Sequence, residues 1–108
     1  MKLENEKALI RTIAEGNTKS FEVLFYSYYP RLKGFICDLL QSPEEAEDIS
    51  QDIFTTLWQN RTSLDKIDNI SAYLFRIAKN AVYRHIERNM LFKNYQQKQT
   101  ESIPNVIE

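Results

Sequence analysis

The chain has 108 residues, 43% of them hydrophobic, which predicts one domain with a single compact core. Its one cysteine, Cys37, excludes an internal disulfide, and no stretch approaches the roughly 18 apolar residues of a membrane span. Residues 1–60 hold 6 Lys or Arg and 10 Asp or Glu, whereas residues 61–108 hold 8 and 5. An acidic half followed by a basic half predicts two different partners.

The pattern predicts an all-α fold, a compact bundle of about four helices, because glycine and proline are few and no β alternation is visible. The first helix is expected from about residue 4 to residue 15. Gly16 and Asn17 end it, since both tolerate left-handed backbone angles. The charged N-terminus has no apolar signal core, so we expect a soluble, cytoplasmic protein.

The second helix carries apolar residues at steps of three and four from Phe21 to Leu40. Either Thr18 or Ser20 is expected to cap its N-terminus. Pro30 interrupts the run and removes a backbone donor from the Tyr26 carbonyl, so we predict one bent helix.

A third helix is predicted from the Ser-Pro-Glu-Glu signal. Ser42 caps it, Pro43 takes its first position, and Glu45 closes a capping box. It should end near residues 59–60, and the polar residues 60–69 should form a loop. Its predicted apolar stripe consists of Ala46, Ile49, Ile53 and Leu57.

The opposite side of the third helix is polar, because about 100° per residue turns its acidic residues away from the stripe. This side consists of Asp48, Gln51, Asp52 and Thr55. Phe54 and Trp58 fall at its edge. The pattern by itself favours a solvated acidic face with two aromatics under a neighbouring element, and the alternative is a surface for a basic partner.

The fourth helix is expected from about Ser71 to Met90 or a little beyond. Like the third helix it has an apolar side and a polar side, but its polar side is basic. Its buried stripe should contain Leu74, Ile77, Ala78 and Ala81, with Val82 at the border. Its outer side contains Arg76, Lys79, Asn80 and Tyr83, flanked by Tyr73 and Arg84. Cations neutralise phosphates, amides read base edges and aromatic rings stack on unpaired bases, although solvated helix faces also carry Lys and Arg.

No pattern in the chain supports catalysis, a metal site or a bound cofactor. His85 is the only histidine, and it continues the apolar stripe of the fourth helix, where a packed residue is more common than a ligand. Cys37 lies in a separate apolar helix. The chain also lacks a glycine-rich phosphate loop and a Ser-His-Asp motif. We therefore expect a binding domain rather than an enzyme.

Three segments resemble the second conserved region of bacterial sigma factors, particularly the extracytoplasmic-function (ECF) group. They are Ser42-Pro43-Glu44-Glu45-Ala46-Glu47-Asp48-Ile49-Ser50-Gln51-Asp52-Ile53-Phe54 with Leu57-Trp58, Ala72-Tyr73-Leu74-Phe75-Arg76-Ile77-Ala78-Lys79-Asn80, and Ser20-Phe21-Glu22-Val23-Leu24-Phe25 with Tyr28-Tyr29-Pro30-Arg31-Leu32. Together the resemblance covers roughly residues 5–92. It implies a transcription initiation factor that contacts RNA polymerase and promoter DNA.

The resemblance assigns a role to each polar face. In this family the acidic helix docks on the clamp helices, a coiled coil of the polymerase β′ subunit. The implied polymerase-binding residues are Asp48, Gln51, Asp52, Thr55 and Trp58. The loop and fourth helix engage the non-template strand of the −10 element, and a base enters a pocket walled by residues 66–71. The implied DNA-binding residues are Lys66, Asn69, Ser71, Tyr73, Arg76, Lys79, Asn80, Tyr83 and Arg84.

The chain also departs from the family pattern. Residues 60–71 contain no aromatic residue, unlike the melting segment of housekeeping sigma factors, which fits an alternative sigma factor. We expect a helical domain over residues 1–92. Residues 93–108 should be a flexible tail, or the start of a linker to a missing C-terminal helix-turn-helix domain. An anti-sigma factor is a further possible partner, and the alternative function is a helical adaptor that binds only protein.

Overall fold

The computed structural model describes the backbone of residues 6–107 and the side chains of residues 6–93. Within this part the fold is all-α, as predicted, and contains no strand. Four α-helices and one short 3₁₀ helix follow one another: Glu6–Ala14 (α1), Thr18–Leu40 (α2), Pro43–Gln59 (α3), the 3₁₀ helix Arg61–Lys66, and Ile70–Ile107 (α4). Within residues 6–107, none of the helices combines the length and the hydrophobicity that a bilayer-spanning segment needs.

The turn between α1 and α2 is built by two residues that the sequence singled out. Gly16 adopts a φ of 98°, which a residue without a Cβ reaches at little cost. The predicted caps Thr18 and Ser20 were wrong, because the cap is Asn17, whose Oδ1 accepts a hydrogen bond from the Ser20 backbone N–H at 3.0 Å. The predicted start of the first helix near residue 4 lies outside the described residues.

Helix α2 is the centre of the bundle and continues across Pro30, as predicted, from Thr18 to Leu40. Its fully buried side chains are spaced by four residues and form one stripe: Leu24, Tyr28, Leu32 and Ile36. The helix ends where Gln41 adopts a left-handed φ of 56° and donates its N–H to the Cys37 carbonyl at 2.7 Å. This stripe gives α1, α3 and α4 a common surface to pack on.

The N-terminus of α3 confirms the predicted cap but corrects the predicted box. The Ser42 hydroxyl accepts a hydrogen bond from the Glu45 N–H at 3.2 Å, and Pro43 occupies the first turn. The Glu45 carboxylate, however, lies 2.6 Å from Nε2 of His85 on α4. Glu45 therefore joins α3 to α4 instead of closing the box on its own helix.

Residues 60–69 are more ordered than the loop predicted from their polarity. Six of them, Arg61–Lys66, form a 3₁₀ helix that packs against α1. Leu64 anchors this helix, since its side chain is only 2% exposed. Leu64 is the one apolar residue of Arg61–Lys66, so this helix has no apolar period to detect, and only the tertiary contact with α1 shows its role.

Helix α4 begins at Ile70, next to the predicted Ser71, and its backbone continues to Ile107, past the predicted end near Met90. Asn69 caps it, because its Oδ1 accepts a hydrogen bond from the Ala72 N–H at 3.0 Å. The domain boundary at residue 93 stays a prediction, since the side chains that follow lie outside the described ones.

The core draws on every helix. Its buried apolar side chains are Ile10, Ile13, Leu24, Tyr28, Leu32, Ile36, Ala46, Ile53, Phe54, Leu57, Leu64, Ile70, Leu74, Ala78 and Val82. The predicted stripes of α3 and α4 therefore face inward, with Ile49, Ile77 and Ala81 half-buried at their margins. Burying these stripes fixes the rotation of α3 and α4 and decides which side chains remain outside.

Candidate functional site

The polar face of α3 is open to solvent. Asp48, Gln51, Asp52 and Thr55 are all exposed, and the buried Ala46, Ile53 and Leu57 lie on the inner side of the same helix. The two carboxylates thus stand where a basic partner would meet them without displacing any core residue. Attraction of this kind steers association and sets register more than it adds affinity.

An aromatic groove between α2 and α3 borders the polar face. Its walls are Phe21, Phe25, Phe54 and Trp58, and it has a volume of about 510 Å³. The Phe21 ring lies 5.1 Å from the Trp58 ring between centroids, and Phe25 meets Phe54 edge to face at 5.1 Å. Trp58 is half-buried, whereas Phe54, predicted at the helix edge, is buried and belongs to the core. Gln51 and Thr55 also line the groove, so it adjoins the predicted polymerase surface.

Arg61 supports the Trp58 side chain, a role that the sequence did not indicate. Its guanidinium carbon lies 4.3 Å from the centre of the Trp58 ring, and its Nη1 donates a hydrogen bond to the Trp58 carbonyl at 3.0 Å. A cation over an aromatic face is attracted by the ring quadrupole. In the sequence, the only indication of this contact is that Trp58 and Arg61 are three positions apart.

The outer side of α4 forms a basic ridge, defined here as Arg76, Lys79, Asn80, Tyr83 and Arg84. All five side chains are exposed, and the buried Leu74, Ala78 and Val82 face the core from the other side. The cations lie near the rings: Arg76 is 5.8 Å from the centre of the half-buried Tyr73, and Lys79 is 5.8 Å from that of Tyr83. Charge and flat aromatic surface therefore alternate along about two helical turns, as a single strand of nucleic acid would require.

The remaining residues that were predicted to bind DNA lie between the end of the 3₁₀ helix and the start of α4. Lys66 and Asn69 are exposed, and Asn69 also caps α4. Ser71 is half-buried, and its side chain interacts with the hydroxyl of the buried Tyr28. Asn69 and Ser71 thus have structural roles, whereas Lys66 projects from the segment.

Tyr28 joins three helices through its hydroxyl, which donates a hydrogen bond to Oε2 of Glu6 at 3.0 Å and also meets Ser71. Burial, followed by the hydrogen bond to Glu6, raises the pKa of the Tyr28 hydroxyl above its ordinary value near 10. The nearby Arg31 guanidinium, 5.3 Å from the centre of the ring, acts in the opposite direction.

This raised pKa predicts a specific loss of stability in alkali. Because Tyr28 ionises more easily in the unfolded chain, its contribution is complete below about pH 10 and is lost as pH rises through the raised folded-state pKa. Urea unfolding from pH 8 to 11 should therefore show the free-energy difference between wild type and Tyr28→Phe, about 1 kcal/mol at neutral pH, shrinking above pH 10. Tyr26→Phe, at a residue 72% exposed, is the matched control. Parallel curves for wild type and Tyr28→Phe would contradict the assignment.

A cavity of about 250 Å³ lies between α3, the 3₁₀ helix and α4. Its floor is apolar and includes Leu57, Leu64 and Ile77. Asp52 of the acidic helix, together with Tyr73 and Arg84 of α4, also line it. The two predicted faces therefore meet at one cavity, which no local sequence pattern could reveal.

The residues considered for catalysis or metal binding have structural surroundings. His85 is half-buried and contacts Glu45, and Cys37 is half-buried and has a free thiol. Among the described residues no group of three or more His, Cys, Asp or Glu side chains is placed to hold a metal ion.

Comparison with known proteins agrees with this geometry. The family described as Sigma-70 region 2 matches residues 24–91, more than half of the chain. The chain is 31% identical over 75 residues to the ECF RNA polymerase sigma factor RpoE of Cereibacter sphaeroides, covering 68% of this chain and 41% of that protein. It is 23% identical over 83 residues to the RNA polymerase sigma-H factor of Pseudomonas aeruginosa, covering 77% of this chain and 43% of that protein.

The chain belongs to the sigma-70 region 2 family, and its likeness to an ECF sigma factor confirms the predicted ECF type. It spans about two fifths of the length of the curated relatives that it matches. The matched residues include α3, the 3₁₀ helix and the basic ridge of α4.

Proposed function

We propose that this chain is a transcription initiation domain that binds RNA polymerase through α3 and the −10 region of promoter DNA through α4. The observation that carries the proposal is the separation of charge onto two exposed helix faces in a member of the sigma-70 region 2 family. Such a domain would work in the bacterial cytoplasm, where polymerase and promoters are found.

The polymerase surface consists of the polar face of α3 and the adjoining groove. Asp48 and Asp52 attract a basic coiled coil, for which the β′ clamp helices are the proposed partner, and Gln51 adds a neutral hydrogen-bonding group. Trp58 lines the groove beside Thr55 and offers an aromatic anchor held in place by Arg61. This combination favours a protein partner over nucleic acid on α3.

The DNA surface is the basic ridge of α4. Arg76, Lys79 and Arg84 neutralise phosphates, while Tyr83, 57% exposed, has enough free ring to stack on an unpaired base. The Asn80 amide can hydrogen-bond a base edge. Single-stranded DNA of the −10 element is therefore the proposed ligand, and its non-template strand is the one the family resemblance implies.

An extruded base would lie near the start of α4. Unstacking a base costs a few kcal/mol, which contacts in a pocket must recover. The exposed Lys66 directly precedes Ile67, and the exposed Asn69 lies four residues before Tyr73; Ile67 and Tyr73 both line the cavity between α3 and α4. Ser71 is assigned a positioning role through Tyr28, since its side chain is already engaged there.

The test of DNA binding is a titration of a labelled single-stranded −10-like oligonucleotide at low and moderate salt. Arg76→Ala and Lys79→Ala should each weaken binding by about tenfold, because each removes one phosphate contact. Each should also make the slope of log K against log salt concentration shallower by roughly 0.7. The matched controls are Arg11→Ala and Lys19→Ala, exposed cations of α1 and α2. Equal losses in the controls, or no binding by the wild type, would contradict the proposal.

A helical adaptor that binds only protein is the second candidate, and the aromatic groove beside Trp58 is the observation that favours it. An anti-sigma factor, a proposed regulatory partner, would use adaptor surfaces of this kind. The oligonucleotide titration separates the two functions, because the adaptor predicts no salt-sensitive binding of DNA by α4.

A further inference from the structure

A side-chain pair joins α4 to the N-terminus of α3 at the place where α4 emerges from the bundle. Nε2 of His85 lies 2.6 Å from Oε2 of Glu45, and the imidazole is the donor because a carboxylate only accepts. Val82 is the last of the described α4 residues to be buried, His85 is half-buried, and every residue from Ile86 to Lys93 is exposed. Within residues 6–93 this Glu45–His85 pair is the one side-chain hydrogen bond between α3 and α4.

The Glu45 end of this pair belongs to a rigid part of the domain. The Glu45 N–H donates to the Ser42 hydroxyl at 3.2 Å, so the cap of α3 holds its backbone in place. The next residue, Ala46, is fully buried and fixes the same turn against the core. The Glu45 side chain is not used within its own helix, and it therefore acts as an anchor for α4.

Two residues of the basic ridge lie between the last buried residue and this anchor. Tyr83 and Arg84 follow the buried Val82 and directly precede His85. Both side chains are exposed, so neither is held by a core contact of its own. Arg76, in contrast, lies two and six residues before buried residues of α4, where the helix is already packed on the bundle. The Glu45–His85 pair therefore bears on the C-terminal end of the ridge and not on its beginning.

We propose that Glu45 and His85 are positioning residues for DNA binding, because their contact holds the turn with Tyr83 and Arg84 in place before DNA arrives. Ordering a binding surface in advance lowers the entropy lost on binding. Neither Glu45 nor His85 contacts DNA in this proposal, so both act through the ridge. The effect on DNA affinity rests on the proposed function, whereas the effect on the order of α4 does not.

The order of α4 is tested by amide hydrogen exchange of the ¹⁵N-labelled protein. Glu45→Ala should lower the protection of amides 86–89, which donate to the carbonyls of residues 82–85, by about threefold, the effect of losing one partly exposed hydrogen bond. Glu44→Ala is the matched control, since it removes an exposed carboxylate from the same first turn of α3. A loss of protection spread evenly over α2, α3 and α4 would show that the pair only adds stability, and would overturn the proposal.

The effect on DNA is measured with the labelled −10-like oligonucleotide. Glu45→Ala should weaken binding by about threefold. Removing a carboxylate reduces the repulsion of phosphates, so charge alone would make both Glu45→Ala and Glu44→Ala bind equally or more tightly. The two explanations thus predict opposite signs for Glu45→Ala. Unchanged or tighter binding by this variant would contradict the positioning role.

A double-mutant cycle locates the effect on the ridge. If the pair acts through Tyr83 and Arg84, Glu45→Ala should change the affinity of Tyr83→Ala/Arg84→Ala little, because the residues that it positions are already gone. In the Arg76→Ala background the full loss of about threefold should remain. Equal losses in the two backgrounds would overturn the assignment to the C-terminal end of the ridge.

The other half of the pair supplies a conservative variant. His85→Gln keeps an N–H donor on a side chain of similar reach, so it should retain most of the protection and the DNA affinity, whereas His85→Ala should behave like Glu45→Ala. Equal losses in His85→Gln and His85→Ala would show that the hydrogen bond is not what matters. If the wild type fails to bind the oligonucleotide, the proposed function fails, and hydrogen exchange still decides whether the pair orders α4.

Discussion

Asp52→Arg is expected to lower the affinity for a β′ clamp-helix fragment by roughly thirtyfold, or about 2 kcal/mol, because it replaces an attraction to a basic coiled coil with a repulsion. The Asp52 side chain is exposed on α3, so the exchange disturbs no core contact. Binding is measured by titrating the fragment at low salt and again at moderate salt. The difference between variant and wild type should shrink as salt screens the charges.

The controls separate a docking defect from a general change in charge. Asp38→Arg makes the same exchange at an exposed residue of α2 outside the proposed surface, and it should retain near-wild-type affinity. Gln51→Ala should weaken binding more modestly, since it removes a neutral hydrogen-bonding group. Thermal unfolding should be similar for all three variants. Unchanged affinity in both Asp52→Arg and Gln51→Ala would remove the docking assignment from α3.

Phe54→Ala is expected to destabilise the domain by about 3–5 kcal/mol, the range for removing a buried aromatic side chain. Phe54 is 3% exposed, and its ring meets Phe21 at 6.2 Å, Phe25 at 5.1 Å and Tyr29 at 6.0 Å. Phe21, Phe25 and Tyr29 would each lose their contact with the Phe54 ring, and a void would remain between α2 and α3. Urea unfolding followed by circular dichroism measures the loss.

Phe54→Leu is the matched control, because it keeps most of the apolar volume and should cost about 1–2 kcal/mol. Trp58 is the only tryptophan, so its emission reports on the same groove. Phe54→Ala should shift that emission toward longer wavelength as water enters, whereas Phe54→Leu should change it little. A loss of less than about 1 kcal/mol in Phe54→Ala would contradict the place of this ring in the core.

The contacts of Trp58 make the proposed polymerase surface depend on the core. Trp58 lines the aromatic groove, while Phe21 and Arg61 contact its ring from α2 and the 3₁₀ helix. A change in any of these contacts would therefore move the Trp58 side chain of the proposed surface while leaving Asp48 and Asp52 unchanged. Variants of this groove therefore need a stability measurement beside every binding measurement.

The sequence by itself determined that there are four α-helices and which side of α3 and α4 faces the core, but not the 3₁₀ helix. Residues three or four apart share one side of a helix, so the stripe through Ala46, Ile53 and Leu57 already decided that Asp48 and Asp52 face outward. The same reasoning placed Arg76 and Lys79 outside. Helix caps also depend only on residues within one turn, and the predicted Ser42 cap is confirmed.

Only the tertiary structure decided the features that join residues far apart in the chain. Glu45 meets His85 across 40 residues, although Glu45 was expected to act within its own helix and His85 to continue an apolar stripe, and Tyr28 meets Glu6 across 22 residues. Such contacts depend on how the helices pack, and helical periodicity carries no information about which helices become neighbours. For the same reason the aromatic groove, the support of Trp58 by Arg61 and the cavity between the two charged faces became visible only in the folded chain.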